Sequence, residues 1–167
     1  MSHVVLVGMM GAGKTTIGRR LARRLDRPFV DSDEQVEART GRTVREIFEA
    51  DGEPAFRKLE TEALCEALSS PTPSVIAAAG GTVLAEVNRA AMRDAGTVVW
   101  LRADPSVLAQ RVRNGTHRPL LADDPATVLR KLDADRRDLY ESVAHHVVDT
   151  ARRKPEDVVA AIVEVVS

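Results

Sequence analysis

Cysteine occurs once, at position 65, so neither an internal disulfide nor a cysteine-based zinc site is available to the chain. Cys65 sits in a helical stretch rich in Ala and Leu and reads as a structural thiol. Aromatics are scarce: Phe29, Phe48, Phe56, Trp100 and Tyr140. That argues against a stacking platform for single-stranded nucleic acid. No apolar run approaches the roughly 18 residues of a membrane span. Blocks of like charge are also missing, with 24 basic and 25 acidic residues giving a net charge of −1. Neither a nucleic-acid face nor a membrane partner is expected. His3, His117, His145 and His146 show no metal-ligand spacing and receive no chemistry. The first strand begins almost at once, leaving no room for a signal peptide, so a cytoplasmic monomer is expected. What remains is ordinary globular composition, 44% hydrophobic and 29% charged, in 167 residues that suffice for one domain.

Residues Gly8-Met9-Met10-Gly11-Ala12-Gly13-Lys14-Thr15 fit the pattern G-x-x-x-x-G-K-[ST]. Val4-Val5-Leu6-Val7 before it reads as a buried strand. After it, Ile17, Leu21 and Leu25 recur at helical spacing, with Arg19, Arg20, Arg23 and Arg24 on other faces. Strand, glycine-rich turn and helix is the context a phosphate-binding loop requires. Backbone N–H groups and the helix dipole would meet a nucleoside triphosphate there. The expected nucleotide contacts are Gly11, Ala12, Gly13, Lys14, Thr15 and Thr16. Lys14 would reach the β- and γ-phosphates and the Thr15 hydroxyl would hold Mg²⁺.

Short β-branched runs alternate with helical patterns along the chain. Strands are expected over 4–7, 28–30, 75–78, 97–101 and 146–148. Helices are expected over 15–25, 32–40, 43–51, 55–68, 85–95, 105–113, 126–143 and 155–166. The alternation predicts βαβ units, hence an α/β fold with a parallel sheet covered by helices on both faces. Ligands of such sheets bind beyond the carboxyl ends of the strands.

Polar residues at those ends are the next candidates. Asp31-Ser32-Asp33 places two carboxylates two apart, one able to face a metal-bound phosphate and the other an acceptor. The alternative is a helix N-cap at Ser32 or Asp33 with an acidic first turn. Arg57 and Glu60 are three apart on one helix and can pair, as any exposed pair could. Gly80-Gly81 allows close backbone approach. Arg111, Arg113 and Arg118 flank the polar stretch Asn114-Gly115-Thr116-His117, which could form a lid carrying an arginine. Asp135-Arg136-Arg137-Asp138 reads, by itself, as a solvated helix face.

Order and spacing make the set specific. Gly8–Thr15, Asp31-Ser32-Asp33, Phe56-Arg57-Lys58-Leu59-Glu60, Gly80-Gly81, Arg118-Pro119-Leu120-Leu121 and Arg136 with Leu139-Tyr140 resemble the shikimate kinase family almost end to end. The resemblance implies a three-layer P-loop kinase fold with a five-stranded parallel sheet. It implies transfer of the ATP γ-phosphoryl group to the 3-hydroxyl of shikimate, a step toward aromatic amino acids. Asp33, Arg57, Gly80, Gly81 and Arg136 are then expected to bind shikimate, with Asp33 orienting or deprotonating the attacking hydroxyl and Glu60 holding Arg57. Two arginines suit the carboxylate of shikimate. Thr15 and Asp31 would serve Mg²⁺, Asp31 through water. Lys14 and Arg118 would neutralise transition-state charge, and Arg111 with Pro155 would sandwich adenine. A substrate-binding helical region falls near 32–60 and a lid near 112–124.

One position departs from the family, which usually has three successive glycines where this chain has Ala79-Gly80-Gly81. If the first glycine needs positive φ, Ala79 costs about 1 kcal/mol; if it needs only small size, alanine is tolerated. Two rivals follow from the same P-loop: a kinase for gluconate or a nucleotide, and a nucleotide-binding regulator without catalysis.

Overall fold

A computed structural model describes residues 2–113 and 124–167. Strands β1 (His3–Val7), β2 (Phe29–Asp31), β3 (Val75–Ala77), β4 (Gly96–Arg102) and β5 (His146–Asp149) form one sheet in the order β2-β3-β1-β4-β5. Every pairing is parallel, with Val5 opposite both Ile76 and Val98 at the centre. Central strands of a sheet covered on both faces must be apolar throughout, and β1 is buried at all five positions.

The helices described are α1 (Lys14–Leu25), α2 (Ser32–Thr40), α3 (Val44–Asp51), α4 (Glu53–Leu68), α5 (Glu86–Ala95), α6 (Pro105–Arg113), α7 (Pro125–Val143) and α8 (Pro155–Val166). They complete the three-layer α/β architecture of P-loop kinases. Helix α1 packs on β1 and β3 and against α8, while α5 and α7 pack on β4 and on each other. Gly18 lets α1 approach the sheet: a Cβ there would collide with the Phe29 ring.

Helices α2, α3 and α4 enclose a separate apolar cluster of Val36, Ile47, Phe56 and Ala63. Their ends are written locally. Thr43 accepts from the Glu46 amide and Glu46 accepts from the Thr43 amide, closing a capping box on α3. Gly41 ends α2 at φ 66°, a left-handed conformation that glycine adopts without penalty. After β3 the chain makes a 3₁₀ turn over Gly80–Leu84, which hydrophobic periodicity did not anticipate.

Candidate active site

The phosphate-binding loop runs from β1 to α1 with Gly8, Gly11 and Gly13 at φ 150°, 83° and 94°. Gly8 is further constrained by space, since a Cβ would lie 2.6 Å from the Leu101 carbonyl oxygen. Gly13 caps α1 with no side-chain acceptor, and the first turn of α1 holds no acid. By contrast, α2 and α8 each carry two acids in their first turns. The α1 amides and dipole are therefore left for an external anion. Lys14 Nζ donates to the carbonyls of Gly8 at 2.6 Å and Met9 at 3.0 Å, which holds the ammonium over the loop. Gly11, Gly13, Lys14, Thr15 and Thr16 line the cavity beyond it. Ala12 does not; it is buried, and its amide donates to Met9 within the loop.

Asp31, and neither Ser32 nor Asp33, is the N-cap of α2, with Oδ1 accepting from the amides of Asp33 and Glu34. Its other oxygen accepts from the Thr15 hydroxyl at 2.8 Å, tying the end of β2 to the start of α1. A hydroxyl and a carboxylate in contact at a phosphate loop are hard oxygen donors of the kind Mg²⁺ takes alongside phosphates and water. Among the described residues no group of three or more His, Cys, Asp or Glu could hold a metal.

Phosphate loop and acceptor candidates share one cavity of about 750 Å³, lined by Lys14, Thr15, Asp33, Arg57, Gly81 and Arg136 among others. The Arg57–Glu60 pair is not a solvated surface pair. Glu60 is 1% exposed, and Arg57 Nη1 donates to both its oxygens at 3.0 and 3.1 Å. Burial pushes the Glu60 carboxyl above its usual range, opposed by Arg57 and more weakly by Arg136 and Lys14. The second guanidinium edge of Arg57 is held by Glu53, at 3.1 Å from Nη2. Arg136 is likewise no surface residue: it is 3% exposed, with a buried Nε that no described atom satisfies. The solvated-face reading holds for Asp135, Arg137 and Asp138, which are exposed, and is corrected for Arg136 by the packing of this helix against the 3₁₀ turn.

Of the glycines of that turn, Gly81 is the one constrained by space, while Gly80 meets only ordinary contacts. A Cβ on Gly81 would overlap the Arg57 guanidinium, and one on Gly80 would sit 3.5 Å from Arg136 Nη1 and 3.5 Å from the Gly8 carbonyl oxygen. Ala79 has φ −57° and ψ 150°, so no left-handed backbone is demanded and alanine fits without strain.

The family model described as shikimate kinase matches residues 10–167. The chain belongs to the shikimate kinase family. It is 51% identical over 165 residues to the shikimate kinase of Symbiobacterium thermophilum, covering 97% of this chain and 94% of that one. A solved shikimate kinase from Acinetobacter baumannii, in complex with shikimate, superposes with a TM-score of 0.95 at 39% identity, covering 99% and 92% of the two chains. That of Aquifex aeolicus gives 0.84 at 34% identity, covering 97% and 94%. This member of the family is an ATP-dependent phosphotransferase acting on shikimate.

The remaining shikimate kinase positions lie at the sheet's other edge. Arg111 on α6 donates to the Gly11 carbonyl at 3.2 Å and to the Thr150 carbonyl at 3.0 Å, linking the phosphate loop to the segment that leads into Pro155. Pro155 occupies the first turn of α8. Arg118, with most of the expected lid, lies outside the described residues. Three further residues received no site role from the sequence. Glu53 is marked only by its i−4 spacing to Arg57, Ser32 only by lying between the two aspartates, and Tyr140 only by following Arg136 by one helical turn.

Proposed function

We propose that the residues of this cavity divide between them the transfer of the ATP γ-phosphoryl group to the 3-hydroxyl of shikimate, yielding shikimate 3-phosphate and ADP. The observation that carries the assignment is that Lys14 and Thr15 of α1, Asp33 of α2, Arg57 of α4 and Arg136 of α7, from four separate helices, line one cavity. Phosphoryl transfer asks a protein for positioning and charge stabilisation more than covalent chemistry. Gly11, Gly13, Lys14, Thr15 and Thr16 cradle the phosphates, and Lys14 balances charge on the transferred group. Thr15 and Asp31 are the residues that would hold Mg²⁺, which would neutralise phosphate charge when bound. Arg57 and Arg136 clamp the acceptor carboxylate, and Glu60 keeps Arg57 aimed. Gly80 and Gly81 offer backbone to the sugar-like ring. Asp33 holds the acceptor hydroxyls and orients or deprotonates the attacking one. Arg111 and Pro155 flank adenine. Arg118, on the family resemblance, adds a cation as the lid over 112–124 closes. The same resemblance supports one domain over 1–167 with its acceptor-binding helices near 32–60, acting as a cytoplasmic monomer.

Coupled ADP release with MgATP and shikimate, gluconate, a nucleoside monophosphate or no acceptor tests the reading. Stimulation by shikimate alone is expected. Stimulation by another acceptor would discard the roles of Asp33, Arg57 and Arg136. ATP binding with no stimulated release would leave a regulator.

A further inference from the structure

The turn that joins the two halves of the cavity is held by hydroxyl groups with no role assigned above. Tyr140 is fully buried on α7, and its hydroxyl donates to the Gly80 carbonyl at 2.7 Å. Its ring stacks on Trp100 of β4, with centroids 5.7 Å apart and planes 24° from parallel, so the donor is fixed in position as well as in length. One residue earlier in the turn, the Ala79 amide donates at 2.9 Å to the hydroxyl oxygen of Ser32, which is also fully buried. Both contacts are long-range in sequence and reach the same two-residue stretch from α2 on one side and α7 on the other. That stretch lies directly against both arginines and the phosphate loop: a Cβ on Gly80 would sit 3.5 Å from Arg136 Nη1 and from the Gly8 carbonyl oxygen, and one on Gly81 would overlap the Arg57 guanidinium. A shift of the Gly80 peptide would therefore move both guanidinium groups relative to the phosphate loop.

We infer that Tyr140 and Ser32 are positioning residues of the phosphoryl transfer, a hydroxyl clamp that sets the Ala79–Gly80 turn so that the acceptor's carboxylate clamp keeps its distance from the phosphate loop. Burial suits Tyr140 to the task, because its hydroxyl is pushed up to about 12 and donates at every pH the enzyme meets. The inference rests on Arg57 and Arg136 being the acceptor clamp, so its test must separate the two ideas.

Tyr140→Phe keeps the ring and removes the hydroxyl that donates to Gly80 and also meets Arg136; Ser32→Ala removes the hydroxyl that accepts from the Ala79 amide. With steady-state kinetics in both substrates, each should raise the shikimate KM about tenfold, the usual scale for orphaning one buried hydrogen-bond partner, while the ATP KM stays within about twofold. A merely structural loss would lower Tm without splitting the two KM values. Unchanged shikimate KM in folded Tyr140→Phe overturns the inference. Should Tyr140→Phe not fold, Ser32→Ala decides by the same criterion. Arg136→Ala run alongside distinguishes the failures. If it leaves the shikimate KM unchanged, the carboxylate clamp falls and the hydroxyl clamp with it; if it raises that KM and neither hydroxyl variant does, only the hydroxyl clamp falls.

Discussion

Burial of Glu60 beside Arg57 has an energetic consequence with a definite sign. Its folded-state pKa is raised above the ordinary 4.5, chiefly by desolvation. Such a group contributes stability that is fully present below its unfolded pKa and lost as pH rises through the folded one. At neutral pH the ionised carboxylate is thus a cost carried in order to fix Arg57. Glu60→Gln should leave Tm at pH 7 unchanged or higher, yet raise the shikimate KM by about tenfold as Arg57 loses a charged partner. A lower Tm would mean that the ion pair outweighs desolvation. Arg136→Ala should likewise act on the acceptor, raising its KM while ATP affinity stays near normal; equal losses for both would rule out a carboxylate clamp. Lys14→Ala should cut kcat by about 10³-fold, the scale of deleting one preorganised donor to developing charge.

Among the elements, the α1–sheet contact and the β4–β5 edge carry separate predictions. Gly18→Ala drives a methyl into Phe29, and overpacking of this kind costs about 1–3 kcal/mol, to be read from denaturant midpoints. An unaltered midpoint would show that the Phe29 ring moves aside freely. At the other edge, His145 Nδ1 accepts from the Val98 amide at 2.9 Å and the His145 amide donates to the Val98 carbonyl at 2.8 Å. Its pKa is lowered from 6.5 by burial first, then by Arg93 and His146. A depressed value places the stabilising contribution above the unfolded pKa and removes it as pH falls through the folded one. Tm should therefore decline below about pH 6.5, and His145→Asn, which keeps an acceptor but cannot titrate, should decline less. Identical acid limbs would sink this account.

For the molecule as a whole, the role proposed for Arg118 is a matter of rate. Arg118→Ala should lower kcat with Tm and far-UV circular dichroism unchanged; an undiminished kcat would remove Arg118 from the reaction. Helix and strand positions were legible along the chain because the sheet's own pattern is local. Ser32–Thr40, Pro105–Arg113 and Pro155–Val166 follow from apolar periodicity and helix-start signals, and boundaries moved by no more than two residues elsewhere. The P-loop was equally legible, since a contiguous motif carries its own chemistry; the Asp31–Asp33 spacing left a helix cap open, and Arg57 with Glu60 read as an exposed pair until burial of Glu60 showed otherwise.

Tertiary structure decided the rest. Spacing gives the faces of a strand but not its neighbours, so the order β2-β3-β1-β4-β5 emerged only from the packed sheet. Asp135-Arg136-Arg137-Asp138 has the alternating charge of a wet helix, and only the apposition of α7 to the Gly80 turn buries Arg136. Ser32 looked like a helix cap because capping is a short-range property; its hydroxyl turned instead to Ala79, 47 residues away. Sequence by itself determined which side chains could do the chemistry, because composition and local motif fix what each group can donate, accept or charge. Which of them are buried, paired and brought to one cavity was settled by packing, because desolvation and long-range hydrogen bonds exist only once distant elements meet.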